Sequence, residues 1–157
     1  MEFDRIVIGV DVGLSGAIAA VSGLGELVGV WDMPVETVGN GKHRCAPFLL
    51  YQILCNIRAR AAFVECRIEQ VGAMPSQGVT SMFNFGDSFG CVRSAVAVAG
   101  IPHAFITPQS WKKQCGLIGT DKDFSRTKAA QLFSSAPLSL KKHIGWADAL
   151  LIAWSGL

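Results

Sequence analysis

Apolar positions group into short runs along the first third of the chain. Residues 4–11 carry Ile6, Val7, Ile8 and Val10 in near-continuous succession, which predicts a strand buried on both faces. Residues 16–21 and 26–31 read as two further strands, separated by the turn signal Ser22-Gly23-Leu24-Gly25. Three strands this close together predict an antiparallel meander. Residues 33–47 are polar and punctuated by Gly and Pro, and are predicted as a loop. Between Pro47 and Arg60 the pattern changes period: Leu50, Ile53, Leu54 and Ile57 fall at helical spacing. Residues 62–69 return to alternation, with Val64, Cys66 and Ile68 against Phe63, Glu65, Arg67 and Glu69. A loop over 72–78 leads into an apolar helix over 78–99, and residues 101–106 read as a short strand. Thr107-Pro108 is a helix start, an N-cap followed by proline at the first helical position. Helices over 124–134 and 146–154 complete the order β-β-β-α-β-α-β-α-α-α. A meander followed by strand–helix units predicts an α/β fold, a mixed five-stranded sheet flanked by helices.

Three carboxylates fall at the ends of these elements. Asp11 closes the first strand, Glu69 closes the fourth, and Asp148 lies in the first turn of the last helix. If the first and fourth strands are parallel neighbours, Asp11 and Glu69 lie side by side at the sheet edge where open α/β sheets place their sites. Clustered carboxylates repel one another and resist ionising. A hard divalent cation such as Mg²⁺ relieves this while keeping waters for substrate phosphates. Two such ions about 4 Å apart clamp the attacking and leaving oxygens of an in-line displacement. On this reading Gly13 and Gly16 leave room for a phosphate backbone. Each carboxylate also has a plainer reading: Asp11 caps a turn, Glu69 is an exposed strand end, and Asp148 complements the helix dipole. Spacing alone does not choose between them.

Composition narrows the setting. The chain has 157 residues, enough for one domain over 1–157, and half of them are apolar. No apolar run approaches the ~20 residues of a membrane span, and the short acidic start, MEFDR, does not read as a secretory signal. A soluble, cytoplasmic protein is expected, with no membrane partner. The five cysteines, at 45, 55, 66, 91 and 115, form no C-x-x-C pair. They point away from structural zinc and from a disulfide framework. Net charge is +2, but residues 111–142 hold Lys112, Lys113, Lys122, Arg126, Lys128, Lys141 and Lys142 against only Asp121 and Asp123. That basic stretch is either a nucleic-acid footprint or a solvated helical face.

The local sequences add a family. R-I-E-Q-V-G-A-M-P-S-Q-G-V followed by M-F-N-F-G-D-S-F-G resembles the RuvC family of Holliday junction resolvases, most of all the short forms of bacteriophages and mobile elements. I-G-V-D-V-G-L-S-G-A-I-A resembles that family's opening motif, T-P-Q-S-W-K-K its Pro-Gln-x-x-x-Lys segment, and G-W-A-D-A-L-L-I-A its final helix. The resemblance runs nearly end to end, and the element order is that of the ribonuclease H-like fold. It implies that Asp11, Glu69 and Asp148 hold two Mg²⁺ ions, with Mn²⁺ as an alternative. It implies an endonuclease, a homodimer that makes paired symmetric nicks in four-way DNA junctions and leaves 5′-phosphate and 3′-hydroxyl ends.

Two departures stand out. Where the family places a further ligand three residues before the last Asp, this chain has Gly145, so His143 becomes the candidate fourth metal ligand and catalytic residue. Where well-known members carry an aromatic wedge two residues after the Gln of I-E-Q, this chain has Gly72, leaving Met74, Phe83 and Phe85 as substitutes against DNA. Lys112, Lys113, Lys128 and Arg126 are the candidate phosphate contacts, and Lys42 and Arg44 the candidates for gripping a DNA arm. Arg67 pairs with Glu65 or meets DNA. Gly86 and Gly90, four apart on the long helix, allow a close helix contact, within the chain or at a dimer interface. The alternatives are a debranching nuclease that also cuts flaps and forks, a non-catalytic junction-binding module, and a sugar-kinase-like ATPase, which normally needs two copies of this fold.

Overall fold

The computed structural model describes residues 2–157. Strands β1 (Phe3–Asp11), β2 (Ala17–Ser22) and β3 (Leu27–Asp32) form the meander, and a hairpin of β4 (Val35–Val38) and β5 (Lys42–Cys45) follows. Then come α1 (Pro47–Arg58), β6 (Ala61–Glu69), α2 (Val79–Val98), β7 (His103–Ile106), α3 (Pro108–Gln114), α4 (Asp123–Leu132), a 3₁₀ turn (Lys141–His143) and α5 (Ile144–Trp154). The main sheet has the order β3-β2-β1-β6-β7. β1 is antiparallel to β2 and parallel to β6, and β6 is parallel to β7. This is the mixed five-stranded sheet that the pattern predicts.

Helices cover both faces, which is why β1 reads as an unbroken apolar run. Ile6, Ile8 and Val10 face a core with Leu50, Leu54 and Ile57 of α1 and Val92 and Val96 of α2. Val7 faces the opposite core, with Trp111 of α3, Ala129 of α4 and Leu150, Leu151 and Ala153 of α5. α5 lies unusually close to β1: a Cβ at Gly9 would overlap the backbone of Ala149 and Ala153. Small residues on both elements permit that approach.

Two expectations need correction. Residues 33–47 are not a plain loop. Val35 pairs with Cys45 and Val38 with Lys42 in an antiparallel hairpin. Its apex holds Asn40 at φ 63° and Gly41 at φ 71°, the left-handed conformations for which an Asn-Gly pair is suited. The strand expected over 101–106 begins later, at His103. Gly100 at φ 68° ends α2, and the Ile101 N–H turns back to the Val96 carbonyl at 3.2 Å, a Schellman closure of the helix.

Candidate active site

The parallel register pairs Val10 with Ile68, so Asp11 and Glu69 leave adjacent strands at the same edge. β7 extends that edge, with Glu69 opposite Ile106. Directly after Ile106, the Thr107 hydroxyl accepts the Ser110 N–H at 3.2 Å and starts α3. One turn later Trp111, fully buried, donates from Nε1 to Glu69 Oε2 at 2.7 Å. The tryptophan thus orients the glutamate. After Asp11 the chain folds back on itself, with the Gly16 N–H on the Gly13 carbonyl at 3.0 Å. A Cβ at Gly16 would overlap the Asp11 carbonyl, and one at Gly13 (φ 131°) would press on the Phe85 ring at 3.2 Å. Those glycines serve the tight turn and its Phe85 cover.

α5 brings the third carboxylate. The close approach of Gly9 to Ala149 sets Asp148 beside the end of β1. A Cβ at Gly145 would stand 2.7 Å from the Ser15 carbonyl. The helix start presses on the turn after Asp11, and no side chain fits three residues before Asp148. His143 does not fill the gap. It is 8% exposed, stacked on Trp146 with ring centroids 4.4 Å apart, and its Nδ1 accepts the Leu140 N–H at 3.3 Å. His143, the candidate fourth ligand, closes the 3₁₀ turn ahead of α5.

Burial raises all three carboxyl groups, and repulsion between carboxylates adds to the rise at Asp11 and Glu69. Asp11 is pushed up to about 8, chiefly by burial, then by Glu69 and Asp148, with Lys112 opposing. Glu69 is raised by burial, against the Trp111 hydrogen bond and Lys112, with Asp148 adding to the rise. Asp148 is raised by burial, against the Ser125 hydroxyl, Lys112 and Lys122. Its Oδ1 is buried without a hydrogen-bond partner, an expensive state for a carboxylate. Among the described residues, no three Asp, Glu, His or Cys side chains stand close enough to enclose an ion as they are. The donor set still fits a hard divalent cation: it is all oxygen, one oxygen lacks any partner, and each group resists ionising until positive charge arrives.

The remaining candidates divide by location. Lys112 flanks the centre, its ammonium 5.4 Å from the Trp111 ring centroid, and opposes the rise at all three carboxylates. Lys113 is exposed and Lys128 half-buried. Arg126 is not free for phosphate: it pairs with Asp123 at 2.9 Å and donates to the Leu138 and Ser139 carbonyls at 3.3 and 2.8 Å. Lys42 is exposed on the hairpin, and Arg44 pairs across it with Glu36 at 2.7 Å. Met74 and Phe83 are 68% and 75% exposed, while Phe85 is partly buried over Gly13. Glu65 takes Arg5, not Arg67, as its partner, at 2.9 Å from Nε. A Cβ at Gly86 or Gly90 would meet nothing within 4 Å, so this pair makes no close contact within the chain. Sequence reasoning misses Trp111 as a functional residue. Its signal is the helix start at Thr107-Pro108, which sets a tryptophan one turn beyond a strand end.

No family model matches the chain, and no curated protein does. Solved structures match its fold. RuvC of T. thermophilus in complex with a Holliday junction substrate superimposes with a TM-score of 0.57 at 17% identity, covering 96% of this chain and 91% of that one. A second structure of Thermus thermophilus RuvC gives 0.55 at 19% identity, covering 96% and 92%. The likeness shows a ribonuclease H-like α/β fold.

Proposed function

We propose that this chain is a divalent-metal-dependent endonuclease acting on branched DNA, and on four-way junctions above all. The observation that carries the reading is the meeting of Asp11, Glu69 and Asp148 at one sheet edge, with Asp11 raised to about 8 by burial and by the other two. RuvC, whose fold it shares over 96% of the chain, has been seen with a Holliday junction substrate. Mg²⁺, two ions per site with Mn²⁺ as the alternative, would be held by these three residues and supply Lewis acidity at the scissile phosphodiester.

The chain's own groups do the positioning. Asp11, on the central strand of the sheet, would be the residue on which the metal-holding set is built. Trp111 fixes the direction of Glu69, and Lys112 adds positive charge where the phosphate's charge develops. Lys113, Lys128 and Lys42 contact the phosphate backbone outside the centre, holding the register of the DNA without reading its sequence. Hydrolysis leaves 5′-phosphate and 3′-hydroxyl ends. Met74 and Phe83, exposed near the β6–α2 connection, meet the junction centre in place of the aromatic that Gly72 lacks.

A homodimer supplies the second cut. On α2, Val79, Phe83, Gly86 and Gly90 recur at helical spacing, and the first two are 87% and 75% exposed. Such a stripe of apolar and small residues suits the same helix of a second copy, placing two centres about a two-fold axis. Gly72, exposed and with nothing near its missing Cβ, favours a second reading in which flaps and forks are also cut. End-labelled junction, flap, fork and linear duplex, digested under one metal and salt condition, decide between these. Fast cutting of the junction with slower cutting of flaps and forks supports the first reading, and equal rates on all three branched forms support the second. Equal cutting of linear duplex removes both.

A further inference from the structure

Two of the four tryptophans donate an indole N–H to a carboxylate at the same sheet edge. Trp111 holds Glu69. Trp146, in the first turn of α5, donates from Nε1 to Asp32 Oδ1 at 2.5 Å. Asp32 ends β3 and pairs with Ala17, which pairs in turn with Asp11. Cross-strand partners share a face of the sheet, and two strand spacings put the Asp32 backbone about 10 Å from that of Asp11. Asp32 therefore flanks the centre on the side away from Glu69. None of the roles assigned above uses it.

We propose that Asp32 and Trp146 are a positioning pair for Asp148: by accepting the Trp146 N–H, Asp32 sets the roll of the first turn of α5, and with it the aim of the third carboxylate. The proposal rests on the reading that Asp11, Glu69 and Asp148 hold divalent cations.

The two outer carboxylates are oriented differently. Glu69 has the Trp111 donor on one of its oxygens. Asp148 Oδ1 is buried with no hydrogen-bond partner, so its direction is inherited from the backbone of α5. That helix lays small residues on the sheet side: Ala149 and Ala153 against Gly9, and Gly145 against the Ser15 carbonyl. Small residues let backbones approach closely but interlock little, so they resist separation better than roll. A helix turns about 100° per residue, so Trp146 and Asp148, two apart, leave opposite flanks of α5. A bond that pins the Trp146 flank to the end of β3 fixes the angle at which Asp148 meets Asp11. The His143 ring, stacked on the indole at 4.4 Å between centroids, keeps Trp146 from swinging away. Asp32 is exposed and Trp146 half-buried, so the pair is reached by substitution without opening the core.

The test measures the Mg²⁺ dissociation constant of the full-length protein without DNA, from the rise of Tm with Mg²⁺ above each variant's own value in EDTA. Trp146→Phe keeps a ring on His143 but loses the donor, and Asp32→Ala loses the acceptor. Each should weaken Mg²⁺ binding about tenfold, the lower end of what removing an outer-shell partner does, while Asp32→Asn keeps an acceptor oxygen and should stay within about twofold of wild type. The double variant Trp146→Phe/Asp32→Ala should bind no more weakly than either single, because both break the same bond. The Mg²⁺ concentration for half-maximal junction cutting should follow the same order, with junction affinity in EDTA unchanged. Lower Tm in EDTA with unmoved Mg²⁺ binding would overturn the proposal, since the pair would then only clasp β3 to α5. Equal weakening by Asp32→Asn and Asp32→Ala would overturn it too, by assigning the effect to charge instead of the hydrogen bond. A wild-type Tm that ignores Mg²⁺ would remove the metal centre and the positioning pair together, whereas a normal wild-type response with unmoved variants removes the pair alone.

Discussion

Replacing Asp11 by Asn should make the metal-free protein more stable at alkaline pH, and by an amount that grows with pH. Asp11 titrates near 8 in the folded chain against an ordinary 3.8, so the folded state holds a proton that the unfolded state has lost. Stability from this proton is fully present below about pH 4 and is lost as pH rises through about 8. A tenfold change in proton affinity corresponds to about 1.4 kcal/mol, so a rise from 3.8 to about 8 sets an upper bound of ~5–6 kcal/mol. Water entry and side-chain relaxation reduce that, and a difference of ~1–3 kcal/mol between about pH 5 and pH 8 is expected. Asn keeps the shape and cannot ionise. Urea unfolding of both proteins in EDTA across this range gives the difference directly, equivalent to about 2–4 °C in Tm per kcal/mol for a chain of this size. Saturating Mg²⁺ should then stabilise the wild type and leave Asp11→Asn nearly unmoved. A wild-type-minus-variant difference that stays constant from pH 5 to 8 would refute the reasoning, because Asp11 would then be an ordinary solvated carboxylate.

Glu69→Gln and Asp148→Asn should abolish junction cutting while circular dichroism and junction binding in EDTA persist; near-normal cutting by either would remove that residue from the centre. Trp111→Phe keeps the buried ring but loses the 2.7 Å donor to Glu69, and cutting should fall about 10–100-fold, with the Mg²⁺ concentration for half-maximal rate rising. Lys113→Ala and Lys42→Ala should each lower the slope of log affinity against log salt by about 0.9 on duplex arms, measured by fluorescence anisotropy. Arg126→Ala should leave that slope unchanged and lower the urea midpoint of unfolding, since its guanidinium holds Asp123 and the 138–139 carbonyls.

What is legible in the sequence depends on which signals are local. α1 and β6 declare themselves by period and β1 by its nearly unbroken apolar run, and the order of the elements defines the sheet. Asp11 and Glu69 stand out because an ionisable residue closes an apolar strand. The hairpin over 35–45 escapes the pattern although Asn40-Gly41 marks its turn, because four-residue strands outside the main sheet bury too little to show alternation. Arg126 counts as a phosphate contact by charge alone, because charge does not register that a guanidinium faces carbonyls twelve and thirteen residues ahead. The displacement of a fourth ligand by Gly145 is visible in the chain, but its reason is not. That reason is a contact between α5 and the Ser15 carbonyl, which only the folded chain brings together. Trp111 is hidden for the same reason, since its partner Glu69 lies 42 residues earlier.

The most direct test of the central claim is the mapping of cuts on a four-way junction labelled in turn on each strand, digested with Mg²⁺ and with EDTA. The three-carboxylate centre on a two-fold dimer requires cutting in Mg²⁺ alone, as two nicks on opposing strands of like polarity placed symmetrically about the crossover, and none from Asp11→Asn. Cutting that persists in EDTA or in Asp11→Asn, or an intact junction after prolonged digestion in Mg²⁺, would contradict it.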